Sequence, residues 1–389
     1  MTLTRASRAS LADGGAAATG RHPATATATA FGLESLLPAA SSSSSEVLDT
    51  LQRLCAERGL DGLARSLSGL AGLVAGDLQV IEEELTAVQR ADRVMHRAGS
   101  YLLGAGGKRI RPMCVALAAR VGDGFDRRAA DLAVAVELVH NATLLHDDVI
   151  DLATTRRGRA SARTVFGNAA SIFAGDWLLI ESLRRVQRAA VPGTLSSLLE
   201  TIDKMIWAES LQLENRGRFE TDLDLYLSIA EGKSASLFRW AMAAGGAAAG
   251  LSESQCHALE EYGGHLGMAF QAVDDVLDLS GDEATTGKAL FTDLREGKLT
   301  HPLLVALQRQ PALRPLLQEL ASVDHEMQLP AQRCADVLAV VEETDALEAS
   351  RAFARERVEK ASLALRQLPK SDATAALAVV AHSIIHRSH

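Results

Sequence analysis

Apolar residues recur at helical spacing from about Glu46 almost to the C-terminus. The period begins at Leu48, Leu51 and Leu54, which fall on one face of a helix. No segment shows the strict alternation of apolar and polar residues that a half-buried strand requires. The pattern predicts an all-α fold with short breaks between packed helices. The predicted helical segments are Leu78–Val94, Pro112–Val121, Arg128–Asp151, Ala170–Val186, Leu195–Leu213, Leu223–Ala244, Ser254–Leu279, Pro302–Gln308 and those after Pro330.

The first 45 residues differ in composition from the rest of the chain. A Thr-Ala repeat and a serine run offer little apolar surface to offset the entropy of ordering. We therefore predict a disordered low-complexity extension over 1–45 and one folded domain over 46–389. An organelle transit peptide is the second interpretation, because such peptides are rich in Arg and Ser. The arginines of this segment are Arg5, Arg8 and Arg21.

Composition and charge narrow the function classes. The 389 residues are 47% apolar, enough for a sizeable core, and their high Ala and Leu content favours helix throughout. The net charge of −9 argues against nucleic acid as the main partner. The cysteines lack C-x-x-C spacing and are typical of reduced thiols in a cytoplasmic protein. No apolar run reaches the ~18 residues of a membrane span.

An acidic motif, D-D-x-x-D, occurs twice within apolar helical segments. Residues i and i+4 share a helix face, so each motif places its first and last carboxylates one above the other. Carboxylates crowded on an apolar helix repel one another and are costly to bury, so they need a cation. The six residues are Asp147, Asp148 and Asp151 in the first motif, and Asp274, Asp275 and Asp278 in the second.

The two motifs together predict Mg²⁺ shared with a diphosphate. Mg²⁺ is usually bound through one or two carboxylates and substrate phosphates, with water completing the shell. The alternative is a pair of solvated acidic helix faces. The matching apolar flanks favour the metal site, with Leu145 and Val149 beside the first motif and Val273 and Val276 beside the second.

Basic residues lie on turns suited to the matching anion. Lys108, Arg109 and Arg111 belong to a glycine-rich turn before Pro112, which suits the first position of a helix. Backbone N–H groups at such a turn, together with Lys and Arg, make an anion site. The alternative is a solvated basic loop. Further candidates, each more often a solvated or core residue when it occurs singly, are His140, Arg156, Arg157, Lys233, Ser234, Gln271, Lys288 and Lys298.

The motifs in this order resemble the trans-type polyprenyl diphosphate synthases, which elongate isoprenyl chains head to tail. The resemblance runs from about Gly76 to the C-terminus. It rests on G-G-K-R-I-R-P, E-L-V-H-N-A-T-L-L-H-D-D-V-I-D, R-R-G, G-D-W-L, E-G-K-S-A-S-L-F, F-Q-A-V-D-D-V-L-D and E-G-K-L-T-H-P. Ser234 stands where Thr is usual, Ala208 where Gly is usual, and His301 where Leu or Val is usual. No metal or phosphate ligand of the family is lost.

The resemblance implies a type I isoprenoid synthase fold, a single helical domain around a central cavity, in a homodimer. It implies that the six aspartates and Lys233 are catalytic, and that Mg²⁺, about three ions per site, binds at Asp147, Asp151, Asp274 and Asp278. Isopentenyl diphosphate would contact Lys108, Arg111, His140 and Arg157. The allylic diphosphate, farnesyl or geranylgeranyl, would contact Arg156, Lys233, Ser234, Gln271, Lys288 and Lys298.

The resemblance also implies the reaction and its setting. Metal ions and cations stabilise the diphosphate leaving group, and the alkene of isopentenyl diphosphate attacks the allylic carbocation before a proton is lost. Apolar helix faces keep water away. We expect a cytoplasmic enzyme, with transient membrane contact during product release. Import into an organelle is the alternative if the N-terminal segment is a transit peptide.

Product length is predicted from the helix before the first motif. The residues four and five positions before Asp147, Thr143 and Ala142, lie about one turn deeper. Short-chain relatives usually carry Phe or Tyr there, so the small residues predict a long product of about 30 to 50 carbons. A plug formed by Phe173 or Trp177 would instead favour a shorter product of about 15 to 20 carbons.

Two other functions are less favoured by the residues. A class I terpene cyclase shares the first motif, but it generally replaces the second with an N-S-E type triad, which this chain lacks. A non-catalytic subunit of a heteromeric synthase typically loses aspartates, and none is lost here.

Overall fold

The computed structural model describes residues 61–280, 290–324 and 327–386, and this part of the chain is almost entirely helical. The all-α prediction is confirmed. The predicted extension and the start of the domain at residue 46 lie outside the described residues. The α-helices are α1 (Asp61–Val88), α2 (Val94–Leu103), α3 (Ile110–Val121), α4 (Arg127–Ile150), α5 (Ala162–Phe166), α6 (Asn168–Ala189), α7 (Thr194–Glu214), α8 (Leu223–Ala230), α9 (Ser236–Ala248), α10 (Glu253–Ser280), α11 (Thr292–Arg295), α12 (His301–Arg309), α13 (Arg314–Ala321), α14 (Ala331–Glu343), α15 (Ala346–Ala364) and α16 (Asp372–Ile385).

Shorter elements connect some of these helices. A π-helical turn, Glu231–Ala235, joins α8 to α9, and 3₁₀ turns occur at Pro311–Leu313 and Leu365–Gln367. A two-residue antiparallel pair, β1 (Thr155–Arg156) with β2 (Arg159–Ala160), follows α4. Strand pairing was not predicted there, because two residues are too few for an alternating pattern to be visible.

The helices α4 and α10, which carry the two acidic motifs, run through the main hydrophobic core. The side chain of Asp126 caps α4 by accepting a hydrogen bond from the N–H of Ala129. Leu132, Leu138 and Leu145 along α4 are fully buried, because α6 packs on one side of it and α3 and α9 on others. A helix that is buried on most of its faces holds its last turn in a fixed place.

Small residues fill this core and allow the backbones of neighbouring helices to approach closely. A Cβ atom at Gly245 would lie 2.5 Å from the carbonyl oxygen of Val115, and one at Gly263 would lie 2.5 Å from that of Phe238. Either would force helices apart. The helices α3, α9 and α10 therefore pack with little side-chain volume between them, which fits the low aromatic content.

A second, smaller core holds the chain after α10. Leu294 of α11, Leu303 and Leu307 of α12, Leu317 of α13 and Val337 of α14 are fully buried in it. Burying each of these leucines contributes roughly 2 kcal/mol. The segment between α11 and α12 is fixed by this core, and it returns to the first acidic motif.

The basic turn before α3 differs from the prediction in one respect. Pro112 is the third residue of α3 rather than the first. The first four N–H groups of a helix have no partner within it, so the missing N–H of Pro112 still costs no hydrogen bond. Among the helices of the described ranges, none is long and apolar enough to cross a membrane.

Candidate active site

The first acidic motif lies at the end of α4. Asp147 is half-buried, Asp148 is fully buried, and the N–H of Asp151 donates to the carbonyl oxygen of Asp147 at 2.8 Å. Burial raises the pKa of Asp147, and the nearby Lys233, with Nζ 3.7 Å from Oδ2, opposes the rise. A carboxylate in this setting is stabilised by any cation that approaches it.

Arg156 pairs with the buried member of the first motif. Its Nε and Nη2 lie 2.8 and 2.6 Å from Oδ1 of Asp148. Burial raises the pKa of Asp148, and Arg156 offsets part of that rise. A guanidinium has five N–H donors, so this pair leaves donors on Arg156 for a second anion.

The turn between β1 and β2 connects the first acidic motif to the basic loop before α3. Arg157 and Gly158 both have left-handed backbone conformations, with φ of 52° and 72°. This turn directs Arg157 onto the loop, where Nη1 donates to the carbonyl oxygen of Gly106. This contact brings Arg157 to the loop that contains Lys108, another predicted site residue.

Arg109 anchors the basic loop. It is buried, with Nε 2.7 Å from Oε1 of Glu82 and Nη1 2.6 Å from Oε1 of Glu137. A buried charge needs such partners. The sequence around Arg109, which contains the two other cations Lys108 and Arg111, gave no indication of them. Arg109 therefore has a structural role in this loop, and the predicted ligands stay Lys108 and Arg111.

The charge of Arg111, on α3, acts on the ring of His140, on α4. The guanidinium carbon of Arg111 lies 4.5 Å from the centroid of the Phe238 ring, a cation–π contact. Burial lowers the pKa of His140 well below its usual value, and the nearby charges of Arg111 and Arg157 lower it further. The ring is therefore neutral, and it can donate a single hydrogen bond to an anion.

The second acidic motif lies in α10, where Asp275 accepts three hydrogen bonds. Gln271 Nε2 donates to Oδ1 at 2.7 Å, and the Tyr226 hydroxyl and the His301 N–H donate to Oδ2, each at 2.8 Å. Burial raises the pKa of Asp275 to about 7, and the Asp293 carboxylate adds to the rise, whereas the donors lower it. Both oxygens of Asp275 thus accept hydrogen bonds from protein groups. Asp274 and Asp278 are half-buried.

The π-helical turn connects the two motifs on one side. Lys233 approaches Asp147 as described above and also donates to Glu209 at 2.5 Å. The next residue, Ser234, donates from Oγ to Oε1 of Gln271, which in turn holds Asp275. Turns of this kind are rare and frequent at functional sites.

Residues 293–298 connect the motifs on the other side. Lys298 Nζ donates to Oδ2 of Asp151 at 2.7 Å, and the N–H of Asp293 donates to Oδ1 of Asp278 at 3.3 Å. Although burial acts to raise it, the pKa of Asp151 is held below its usual range by the ammonium group of Lys298. The two acidic motifs therefore border a single site.

Several partner residues of this site were not predicted. Glu296, which accepts from Lys298 at 2.5 Å, lies two positions before it in E-G-K. Tyr226 lies seven positions before Lys233, a helical spacing that could have been used. Arg216, which donates to Asp151, carries no sequence signal, whereas Glu209 follows Ala208 where the resembling family usually has Gly-Glu.

The donor set at this junction fits Mg²⁺ bound together with a substrate. A cavity of about 110 Å³ lies beside it, lined in part by Lys233, Gln271, Asp275 and Lys298. In the described ranges, no three Asp, Glu, His or Cys side chains converge closely enough to hold a metal by themselves. Mg²⁺ that takes one or two carboxylates per ion and completes its shell with phosphate oxygens and water matches such an arrangement.

The predicted chain-length residues lie one turn before the first motif. Ala142 is buried in the main core, and Thr143 is half-buried, with its hydroxyl donating to the carbonyl oxygen of His140 at 2.9 Å. Phe173 is 58% exposed, and the Trp177 ring packs on His96 with centroids 4.7 Å apart.

The predicted site residue Lys288 lies outside the described residues.

Comparison with known proteins identifies the family. The polyprenyl synthetase family model matches residues 92–338. The chain belongs to this family. The octaprenyl diphosphate synthase of Haemophilus influenzae is 36% identical, covering 83% of this chain and 98% of its own. The heptaprenyl diphosphate synthase component 2 of Bacillus subtilis is 35% identical, covering 79% and 87%.

Solved structures agree on the fold. The polyprenyl synthase of Caulobacter crescentus, crystallised with calcium and isoprenyl diphosphate, superposes with a TM-score of 0.77 and 31% identity. The alignment covers 83% of this chain and 98% of that one. This family member is therefore a prenyl diphosphate synthase with the isoprenoid synthase fold.

Proposed function

We propose that this synthase condenses isopentenyl diphosphate with farnesyl or geranylgeranyl diphosphate to make a long-chain all-trans polyprenyl diphosphate. The observation that carries the proposal is the double connection between the acidic motifs. Lys233 and Ser234 span them on one side, and Lys298 and Asp293 on the other. A site bordered by carboxylates and cations in this way is suited to a diphosphate and its metal ions.

The two substrates are assigned to two sets of residues. Isopentenyl diphosphate is bound by the basic loop and the adjacent helix face, where the charges of Arg111 and Arg157 act on His140. The allylic diphosphate lies at the junction of the motifs. The first set is Lys108, Arg111, His140 and Arg157. The second set is Arg156, Lys233, Ser234, Gln271, Lys288 and Lys298.

Mg²⁺, about three ions as the family resemblance implies, is assigned to Asp147, Asp151, Asp274 and Asp278. When bound, it neutralises the charge that develops on the leaving diphosphate. The other two aspartates fit a different role, because Asp148 is paired with Arg156 and Asp275 accepts three hydrogen bonds. They hold neighbouring ligands in place.

The residues of the chain then supply binding, orientation and exclusion of water. Lys233 and Lys298 hold the allylic diphosphate while its bond to the prenyl carbon breaks. The basic loop holds isopentenyl diphosphate so that its alkene forms the new carbon–carbon bond, and a proton leaves from the adjacent carbon. The released diphosphate accepts that proton, so no side-chain base is required.

The small residues of α4 support a long product. Neither Ala142 nor Thr143 blocks the path below the first motif with an aromatic ring. Phe173 points largely to solvent within the single chain, which argues against its acting as a plug. The long tail is apolar, so transient contact with a membrane at release is part of the proposal.

An exposed apolar surface on α6 and α7 supports the homodimer. Trp207 is 71% exposed, Ile206 63% and Phe173 58%, with Ile180 and Leu199 exposed nearby on the same helices. Large exposed apolar groups on neighbouring helices mark an interaction surface.

We assign the synthase domain to 46–389 and treat 1–45 as an extension outside it.

Product analysis tests the proposed function. The purified chain is incubated alone with Mg²⁺, farnesyl diphosphate and labelled isopentenyl diphosphate, and the dephosphorylated products are sized. A ladder that ends at one long chain is expected. A product that stops at about 15 to 20 carbons would refute the long-chain assignment, and no incorporation would indicate a missing partner subunit.

A further inference from the structure

An aromatic column leads from α15 to the second acidic motif. The guanidinium of Arg357 lies over the Phe353 ring at 4.7 Å, and that ring stacks on His301 with centroids 4.7 Å apart and planes 21° apart. His301 meets the Tyr226 ring edge-on at 5.3 Å. The Tyr226 hydroxyl then donates to Oδ2 of Asp275. We use "aromatic column" for Phe353, His301 and Tyr226.

The middle ring of the column is fixed by hydrogen bonds. Ser350 donates its hydroxyl proton to the carbonyl oxygen of Ala346 at 2.8 Å. Its oxygen, 2.8 Å from His301 Nδ1, must therefore accept from that nitrogen. This contact sets the tautomer and the plane of the imidazole. Because Tyr226 and His301 are also buried, neither ring can turn without disturbing the other.

The column acts on a chain of hydrogen bonds that ends at the allylic site. Tyr226 donates to Asp275, Asp275 accepts from Gln271, and Gln271 accepts from Ser234. These contacts hold the NH₂ end of Gln271 toward Asp275 and its oxygen end toward Ser234. The ammonium group of the neighbouring Lys233 is held separately, by Glu209 and Gln212.

We propose that Tyr226, braced by the aromatic column, is a positioning residue for the allylic diphosphate. It fixes Asp275, which orients Gln271 and thereby Ser234. The inference rests on the proposed assignment of those residues to the allylic substrate. His301 stands where the resembling family usually has Leu or Val, so the middle ring of the column is a feature of this chain.

Two matched tyrosine variants test the inference in the full-length enzyme. Tyr226→Phe removes only the hydroxyl that reaches Asp275. Tyr262→Phe is the control, because Tyr262 is also buried and its hydroxyl donates to the carbonyl oxygen of Leu377 in the main core at 2.7 Å. We expect Tyr226→Phe to raise the KM for farnesyl diphosphate about tenfold and to leave the KM for isopentenyl diphosphate within about twofold. The control should change neither.

A third variant tests the inference if Tyr226→Phe does not fold. His301→Leu keeps the backbone N–H that donates to Asp275 but removes the middle ring, and it should raise the KM for farnesyl diphosphate about threefold. Equal KM values for farnesyl diphosphate in the wild type and in each folded variant at these two positions would overturn the inference. A wild-type enzyme without turnover would instead overturn the proposed function.

Discussion

The ammonium group of Lys298 lies 2.7 Å from the Asp151 carboxylate, although the two residues are 147 positions apart in the sequence. The contact joins the end of α4 to the segment held by the second core. It is one of two connections that make the acidic motifs into one site. Lys298 is thus placed beside the site at which we propose that the allylic diphosphate binds.

Replacing Lys298 should reduce catalysis. Lys298→Ala removes a cation that we assign to the leaving diphosphate, so we expect kcat/KM to fall by about 100-fold. Lys298→Arg keeps the charge and should retain more activity than the alanine variant. Steady-state kinetics with farnesyl and isopentenyl diphosphate checks this. Equal activity of the alanine variant and the wild type would remove Lys298 from the site.

The first two aspartates of the first motif should respond differently to loss of charge. Asp148→Asn leaves Arg156, whose side chain is 20% exposed, without its charged partner, which should lower the free energy of unfolding by about 1 kcal/mol. Asp147→Asn should leave that free energy nearly unchanged but abolish Mg²⁺-dependent turnover. Urea unfolding followed by activity assays separates the two. Similar losses of stability in both variants would show that Asp147 is structural.

A larger residue below the first motif should shorten the product. Thr143→Phe places a ring one helical turn below Asp147. Because this ring would block the path of the growing prenyl chain at that depth, we expect the longest prenol to lose roughly two isoprene units or more. Thr143→Ser is the matched control and should keep the wild-type length. Products are sized after dephosphorylation. An unchanged ladder would place the product path elsewhere.

The exposed surface on α6 and α7 should be needed for dimer formation. Trp207→Glu places a charge at its most exposed large side chain, so sedimentation analysis should show monomers. Leu363→Glu, at another half-exposed apolar residue on α15, is the control and should stay dimeric. A wild-type enzyme that sediments as a monomer would contradict the dimer assignment itself.

His301 should make stability sensitive to mild acid. Burial lowers the pKa of His301 to about 4 from the usual 6.5. As the pH falls from 6.5 toward 4, the unfolded chain binds a proton that the folded chain does not, so stability is lost over this interval. At pH 5 this loss amounts to about 2 kcal/mol. Urea unfolding at pH 7.5 and 5.0 should show the drop reduced in His301→Leu, and an equal drop in both proteins would refute the assignment.

The fold class could be predicted from the sequence, whereas the contacts among the candidate site residues could not. Helical periodicity and the repeated D-D-x-x-D were visible locally, because a helix face and a metal-binding turn are each defined by a few neighbouring residues. The three-donor environment of Asp275 was not visible, because Tyr226 and His301 reach it from distant elements. Likewise, Arg109 resembled a ligand cation until Glu82 and Glu137 were found beside it.

The return of the chain to α4 has a consequence for synthesis on the ribosome. Asp148 and Asp151 are buried charges, and Lys298, one partner of Asp151, emerges long after α4 has been made. Until then the end of α4 is more stable in water than in its final environment. We expect the nascent domain to keep this turn open, so that amides near Asp151 exchange with solvent quickly in stalled chains that end before Lys298.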